Sequence, residues 1–464
     1  MSELMKYRTK EKLTTVVSPA RQAAYHILIR VQAGRDYAVD LLQGSALEPL
    51  SDADRRLATE LVMGVLRWRG DLDFQIEKLS GRALSYFDPE IAEILRLAVY
   101  QIRFLSAIPK AAAVSQAVEM AKLARKRSAS GLVNAVLRKC EKAAFNGLEP
   151  EELRTNREYM ESARRSTPAW LCERWERCFG PEKARSMMLG CQVIPRACLR
   201  VRGDAAEREN IRMTLAQAGV VAHPGVYSRR ALVVDSGSVL NTPAWREGQC
   251  VLQDEASQLA AELVGSQSGE WALDLCAAPG VKTGQLAEML REGVVVACDR
   301  SMRRMRTMNE IGLREWPAGV LLRRVLLDAR QPLPFARLFD RVLVDAPCSG
   351  TGTLARNPEI KWRLKPQDLP RLAEMQCEIL GQALGALGEA GRLVYATCSL
   401  EPEENEEVIA KVLAGRPGFR ALSAGELRRE FPEMGQLFGA EGYFRTYPGI
   451  HPMDGFFAAV IVRG

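Results

Sequence analysis

The chain has 464 residues, a formal net charge of +7 and a 47% hydrophobic fraction, so it is long enough for about two to four domains with separate cores. No apolar run approaches the roughly 18 residues that a membrane span needs, and residues 1–13 lack the apolar core of a secretory signal. We therefore expect a soluble, cytoplasmic protein without membrane attachment. Eleven cysteines without a Cys-x-x-Cys pair, together with three histidines, argue against a disulfide framework and a metal site.

The first third of the sequence has the pattern of an all-α domain, predicted over residues 1–145. Residues 1–18 are interpreted as a disordered basic arm, and helix starts follow at Ser18-Pro19, Ser51-Asp52 and Asp88-Pro89. After each start, apolar residues recur at helical spacing and predict a buried face. Two more helices are predicted around Ala111–Arg125 and Ala129–Ala143.

Positive charge is concentrated in this helical domain. Residues 1–150 contain 23 lysines and arginines against 17 acidic residues. Basic side chains cluster on the last two predicted helices, opposed only by two glutamates, and form a candidate phosphate-binding face: Lys122, Arg125, Lys126, Arg127, Arg138, Lys139 and Lys142. On charge alone, an ordinary solvated surface explains the cluster as well as RNA does.

Residues 146–245 are predicted to hold a linker and a small subdomain. Residues 147–166 are polar and poorly periodic, as in a linker. Two helices follow, and then a strand, a helix and two strands between Arg196 and Asp235, which is the order of a split βαβ or RNA-recognition-like module. Its strands lack the aromatic residues that stack on RNA bases, so a structural adaptor remains an equal alternative.

From residue 246 to the end, strands and helices alternate, which predicts a parallel α/β sheet. The first strand runs into the stretch from Trp271 to Thr283, a tight loop that opens a helix and suits a polar or anionic ligand. Asp299 ends the second strand, 19 residues beyond Gly280, at the interval where an acid reaches a ribose diol. A proline-containing turn with one glycine favours S-adenosyl-L-methionine over a pyrophosphate.

Two later strands end on cysteines, and these suggest the reaction. Cys348 lies in the segment 345–362 and Cys398 in the segment 395–408, with Asp345 beside them. Carbon 5 of cytosine is a poor nucleophile until a thiolate adds to carbon 6, a step that suits cysteine. Asp345 can bond the ring nitrogen or the exocyclic amine as charge develops there. Two buried cysteines without a chemical role are the less favoured interpretation.

These motifs resemble the NOP/Sun-type RNA cytosine-C5 methyltransferases, and within them the bacterial Sun/Fmu enzymes of 16S ribosomal RNA. Nearly the whole chain shares the resemblance, which implies a NusB-like helical domain, a small α+β subdomain and a Rossmann-like methyltransferase core over 246–464. It implies Cys398 as the nucleophile, Cys348 as the residue that helps release the product, and catalytic roles for Asp345 and Lys282. The cofactor-binding residues it implies are Cys276, Ala277, Ala278, Pro279, Gly280, Val281, Lys282, Asp299, Asp328 and Asp345.

One position departs from the family pattern, because Val281 stands where these enzymes usually have glycine. A β-branched residue adopts a positive φ only with strain, so either the turn never needs that conformation or cofactor affinity differs here.

The implied partner is 16S ribosomal RNA, free or partly assembled, and we expect a monomer without metal. Two alternatives stay open. A DNA cytosine methyltransferase would use the Pro-Cys cysteine, Cys348, as its nucleophile. A non-catalytic RNA-binding or antitermination factor would account for the helical domain but would leave both cysteine turns unexplained.

Overall fold

A computed structural model describes residues 17–34, 36–44, 47–311 and 316–464. The predicted basic arm lies almost wholly outside these residues. The chain divides into two compact units, one of residues 1–174 with 357–359 and the other of residues 175–356 with 360–464. Within the described part of the chain, no helix is both long and apolar enough to cross a membrane.

The first unit is helical, as predicted. Its helices are α1 (Pro19–Gln32), α2 (Ala38–Gln43), α3 (Asp52–Ser80), α4 (Pro89–Phe104), α5 (Lys110–Leu123), α6 (Ser130–Arg138), α7 (Pro150–Thr155) and α8 (Arg157–Arg165). Proline opens α1 and α4, and the Ser51 hydroxyl caps α3 by accepting the Asp54 N–H. The apolar stripes of α1, α3 and α4 pack together as the core of this unit.

The linker prediction for residues 147–166 is wrong, because this segment forms α7 and α8 and packs on the helical unit. The Tyr159 ring lies 5.5 Å from that of Trp68 and 5.2 Å from that of Phe145. Arg165 donates to the Asp71 carboxylate at 2.8 Å. Only one side of α8 is buried, at Tyr159, Ser162 and Ala163, so its short apolar stripe is hard to see within a polar sequence.

The second unit begins with a small α+β subdomain. Its elements are α9 (Ala169–Phe179), which crosses the boundary at residue 174, α10 (Pro181–Gly190), β1 (Cys198–Val201), α11 (Ala205–Gln217), β2 (Val221–Pro224), β3 (Ala231–Ser236), α12 (Pro243–Arg246) and β4 (Cys250–Leu252). The antiparallel sheet has the order β2-β3-β1-β4. The predicted strand-helix-strand-strand order is present. The pairing of β4 with β1 carries the sheet beyond residue 245, the predicted end of the subdomain.

The methyltransferase-like core contains α13 (Glu255–Glu262), β5 (Trp271–Asp274), α14 (Val281–Leu290), β6 (Gly293–Asp299), α15 (Met302–Ile311), β7 (Val320–Leu326), β8 (Phe339–Asp345), α16 (Ile360–Arg363), α17 (Asp368–Gly385), β9 (Leu387–Thr397), α18 (Glu406–Ala414), β10 (Phe419–Ala421), α19 (Ala424–Glu430), β11 (Phe444–Thr446) and β12 (Phe456–Arg463). The strand order is β10-β12-β9-β8-β5-β6-β7, with β11 on β12. The fold is therefore a doubly wound α/β sheet, as expected.

The expectation of a wholly parallel sheet is wrong at one side. Strands β5 to β9 pair in parallel, but β12 runs antiparallel to β9, and β10 and β11 run antiparallel to β12. An apolar run such as 456–462 predicts a buried strand without revealing its direction. The strands whose ends carry the motifs all lie in the parallel part of the sheet, so the antiparallel strands do not alter the predicted site.

Replacing Tyr159 by alanine should lower the free energy of unfolding by about 3–5 kcal/mol, because the change removes a buried aromatic ring and leaves a cavity beside Trp68 and Phe145. Calorimetric unfolding measures the effect. Arg157→Ala in the same helix is the control, since its side chain is 89% exposed and should change stability by less than about 0.5 kcal/mol. Equal melting temperatures for both variants would mean that the segment is a linker after all.

Candidate active site

The candidate site lies where the sheet order reverses, between β5 and β8. These strands are parallel neighbours, and Asp274 near the end of β5 pairs with Leu343 of β8. From β5 the sheet continues through β6 and β7, and from β8 it continues in the opposite direction through β9. The loops at this edge therefore bring together residues that are more than a hundred positions apart in the sequence.

Gly280 gives the loop after β5 its shape. It has φ +97°, immediately before α14, and a Cβ there would come within 3.1 Å of the Met308 side chain. The Gly280 N–H donates to the Ala277 carbonyl at 2.7 Å, and the Ala277 N–H donates to Cys298 at 2.8 Å. Val281 is the first residue of the right-handed helix α14, so the unusual valine introduces no backbone strain.

The buried carboxyl group of Asp274 lies at the end of β5, next to this loop. Its Oδ2 accepts the Thr283 hydroxyl at 2.7 Å, while Oδ1 has no hydrogen-bond partner among the described residues. Burial raises the pKa of Asp274 to about 7. Burial, and then the charge of Asp274, also hold the pKa of the neighbouring Cys276 thiol well above its usual value. Cys276 is therefore a neutral thiol in the loop.

A cleft opens beside this loop, beneath the ends of β6 and β7. Its lining residues are Leu275, Cys276, Asp299, Arg300, Arg304, Leu327, Asp328, Ala329, Arg330, Pro347, Met375 and Ile379. Asp299 is buried, and its Oδ1 accepts the Ser301 N–H at 2.8 Å. Asp328 is more exposed and accepts from Arg330 at 2.9 Å, which lowers the pKa of Asp328 to about 2. The cleft thus combines two carboxylates with an apolar wall.

On the β8 side of the loop, Lys282 forms an ion pair with Asp345. The Lys282 Nζ lies 2.8 Å from Asp345 Oδ2 and 5.1 Å from the centre of the Phe456 ring. Burial opposes the charge of Lys282, but the Asp345 carboxylate outweighs it, so that the pKa of Lys282 is raised. The ammonium group is therefore charged in the folded protein. The sulfur of Cys398 is a further neighbour of this ammonium.

The two candidate catalytic cysteines meet next to this ion pair. The sulfur atoms of Cys348 and Cys398 are 3.4 Å apart, and both side chains are partly exposed. The sulfur–sulfur hydrogen bond, then burial, and then the charges of Cys398 and Glu404 hold the pKa of Cys348 well above its usual value. The two loops are also joined through their backbones, since the Gly352 N–H donates to the Cys398 carbonyl at 2.9 Å.

Glu404 is a component of the site that the sequence analysis missed. It is fully buried, and its Oε1 accepts the Ser349 N–H at 2.8 Å and a Gln376 amide N–H at 2.9 Å. The hydroxyls of Ser349 and Ser399 donate to its Oε2. The sequence offered one signal, an acidic residue six positions after the Thr-Cys-Ser cysteine, but it stands in an acidic run that resembles a solvated helix start.

The structure brings the predicted residues together in two groups. Cys276, Asp299 and Asp328 line the cleft, whereas Cys348 and Cys398 form the thiol pair and Lys282 and Asp345 form the ion pair next to it. The loop residues Ala277 and Ala278 are buried and Gly280 shapes the turn, while Pro279 is exposed.

Comparison with known proteins gives family matches along the chain. A model described as 16S rRNA methyltransferase RsmB/F matches residues 261–462, the NusB family matches residues 18–142, and an RsmF/B-like ferredoxin-like domain matches residues 167–240. The ribosomal RNA small subunit methyltransferase B of Pseudomonas putida is 33% identical over 449 residues, which covers 96% of this chain and 98% of that protein.

Two solved structures share the fold. The crystal structure of PH0851 has a TM-score of 0.75 at 24% identity and covers 97% of this chain and 99% of that one. The structure of NSun6 from Pyrococcus horikoshii with SFG has a TM-score of 0.55 at 20% identity and covers 64% of this chain and 98% of that one.

The raised pKa of Asp274 predicts a pH-dependent stability term. Between its usual value of 3.8 and about 7, the folded state holds a proton that the unfolded state releases, so this contribution is complete below 3.8 and is lost as the pH rises through 7. The wild-type free energy of unfolding should fall relative to Asp274→Asn by up to about 1.4 kcal/mol per pH unit. Denaturant titrations from pH 4 to 8 measure this slope. The exposed helix cap Asp204→Asn is the control and should track wild type; a flat difference for Asp274→Asn would contradict the prediction.

Proposed function

Since this chain belongs to the 16S rRNA methyltransferase RsmB/F family, as its motifs predicted, and is therefore an RNA methyltransferase, we propose that it methylates carbon 5 of a cytosine in 16S ribosomal RNA. The observation that carries the proposal is the pair of cysteine sulfurs 3.4 Å apart, beside the ion pair of Lys282 and Asp345. Two thiols near one base can share the two steps that activation of carbon 5 requires, addition and elimination.

We assign the cleft to S-adenosyl-L-methionine, which would supply the methyl group when bound. Asp299 and Asp328 offer carboxylate oxygens to a ribose diol, and the apolar wall that includes Met375 and Ile379 suits an adenine ring. The loop from Cys276 to Lys282 borders the cleft through Cys276, and Asp274 Oδ1, next to this loop, has no hydrogen-bond partner among the described residues. SFG, an analogue of this cofactor, accompanies the similar fold of NSun6, which supports the assignment.

Cys398 acts as the nucleophile in this proposal. Its thiolate forms a bond to carbon 6 of the cytosine, and the ring electrons move towards carbon 5, which can then accept the methyl group. Asp345 bonds the ring nitrogen or the exocyclic amine as charge develops there. Loss of the carbon 5 proton then restores the ring double bond and expels the Cys398 sulfur as a thiolate, and Cys348 assists this release.

The charges around the two sulfurs favour this division of labour. The Lys282 ammonium interacts with Cys398, whereas the sulfur–sulfur hydrogen bond, burial and then the Glu404 carboxylate hold the pKa of Cys348 well above its usual value and disfavour a thiolate there. A DNA-type enzyme would need its thiolate on Cys348, against these charges. A purely RNA-binding protein would have no use for either thiol.

We assign RNA binding to the helical domain, predicted over residues 1–145 and extended in the structure by α7 and α8. The basic cluster defined above is exposed, apart from the half-buried Lys126, which pairs with Asp88 at 2.8 Å. Lys122 pairs with Glu119 at 2.7 Å. The arginines of the cluster have no acidic partner within 4 Å among the described residues, and they are the members best suited to phosphate groups.

Single cysteine variants test the roles of the thiols. Cys398→Ala should abolish methyl transfer and form no covalent complex, because the attacking sulfur is missing. Cys348→Ala should retain attack but impair release, so an enzyme–RNA complex that survives denaturing electrophoresis should accumulate. Cys178→Ala, an exposed cysteine on α9, is the control. A trapped complex in Cys398→Ala together with an inactive Cys348→Ala would reverse the assignment.

Removing a cleft carboxylate should weaken the cofactor. Asp299→Asn keeps an acceptor for the Ser301 N–H but loses the charge, which should cost about 1.5–3 kcal/mol, or roughly ten- to a hundredfold in affinity. Isothermal calorimetry with S-adenosyl-L-methionine measures it. Glu292→Gln, at the opposite end of β6, is the matched control and should bind normally. Unchanged affinity in Asp299→Asn would remove this residue from the cofactor site.

Charge reversal should weaken RNA binding through the helical domain. The variant with glutamate at Arg125, Arg127 and Arg138 neutralises fewer phosphates, so its RNA affinity should fall and depend less steeply on salt. Filter binding to 16S RNA fragments at several salt concentrations measures both quantities. Arg157→Glu, an exposed arginine outside the cluster, is the control. An unaltered salt slope would identify the cluster as an ordinary solvated surface.

A further inference from the structure

We propose that Glu404 is a positioning residue that fixes the two cysteine loops against each other through hydrogen bonds to both of them. The inference rests on the proposed function, which it deepens by naming a residue that acts through the thiols without touching the RNA base. Glu404 follows β9 and lies one residue before Asn405, ahead of α18.

The hydrogen bonds of Glu404 reach the residue after each cysteine. Ser349 follows Cys348 and donates to Glu404 through both its N–H and its hydroxyl. Ser399 follows Cys398 and donates its hydroxyl at 2.5 Å. One carboxylate therefore holds both loops at the positions next to their sulfurs. A loop shift of about 1 Å would change the sulfur–sulfur distance substantially and could cost a hundredfold in rate.

The surrounding groups mark Glu404 as an acceptor of hydrogen bonds. Gln376 donates to it at 2.9 Å and also to the Pro347 carbonyl at 2.8 Å, which ties α17 to the loop that contains Cys348. Burial raises the pKa of Glu404, and the four donors that converge on its two oxygens oppose this by stabilising the ionised carboxylate. Without these donors the buried carboxylate would be an uncompensated charge, which destabilises a fold strongly.

The charge of Glu404 also acts on the Cys348 sulfur. The titratable neighbours of Cys348 are Cys398, Glu404 and Tyr395, whereas Lys282 interacts with Cys398. The Glu404 carboxylate therefore favours a neutral thiol at Cys348. Without the carboxylate, this preference should weaken.

Glu404→Gln tests the proposal in the full-length protein. Glutamine can keep an oxygen towards the Ser349 and Gln376 N–H groups and turn its amide towards the two hydroxyls, which can accept, so the fold should survive. We expect kcat for methyl transfer to 16S RNA to fall by about tenfold to a hundredfold, with the RNA KM and the cofactor affinity unchanged. Glu407→Gln, an exposed glutamate on α18, makes the same charge change and should behave as wild type.

A second measurement separates the electrostatic effect of the Glu404 carboxylate from its role in folding. In a Cys398→Ala background, the rate at which iodoacetamide alkylates Cys348, followed by mass spectrometry of its peptide, should rise with a midpoint at lower pH when Glu404→Gln is added. A role confined to folding would leave this midpoint unmoved. If wild type transfers no methyl group to 16S RNA, the proposed function fails, while the alkylation comparison still decides the effect of Glu404.

Wild-type kcat and an unshifted midpoint in Glu404→Gln would overturn this inference and leave the proposed function standing. Should Glu404→Gln not fold, Ser399→Ala deletes one of the bonds to the carboxylate while keeping the charge. That variant should lose several-fold in kcat at constant KM. An unaltered kcat in Ser399→Ala would then overturn the inference.

Discussion

The parallel pairing of β8 with β9 is the constraint on which the site depends. Asp345 lies opposite Ala396 in this pairing, so the two strands end side by side and their loops leave the sheet together. This register brings Cys348 and Cys398 to 3.4 Å, although 50 residues separate them in the sequence. The neighbouring pairing of β5 with β8 adds Lys282 to the same edge. A shift of one residue in either pairing would turn these side chains to the other face.

Several charged and polar side chains of the site are largely buried, and the cost of removing each from water is offset in a different way. Lys282 has an ionic partner in Asp345, and Glu404 has four hydrogen-bond donors. Asp274 accepts the Thr283 hydroxyl, but burial outweighs this bond and raises the pKa of Asp274 to about 7. Such groups stabilise the fold less than apolar residues would, but they fix the positions and charges that thiol chemistry requires.

Much of the site was predictable because its residues stand at strand ends, which apolar runs reveal. The sequence located Asp345 and Cys398 in this way. It could not reveal the direction of β12, because the apolar pattern of a buried strand is the same whether the strand runs parallel or antiparallel to its neighbour. It also missed Glu404, whose role depends on donors from three separate elements. Val281 was judged from the family pattern alone, and only the backbone shows that Gly280 carries the positive φ of the turn.

The measurement that tests the account most directly uses 16S RNA labelled with tritium at carbon 5 of cytosine. Methylation through a thiol adduct replaces that hydrogen, so tritium should appear in water in a one-to-one ratio with the methyl groups transferred from S-adenosyl-L-methionine. The same label in DNA should be retained. Methyl transfer to RNA without release of tritium would contradict the central claim, because the methyl group would then be attached to another atom.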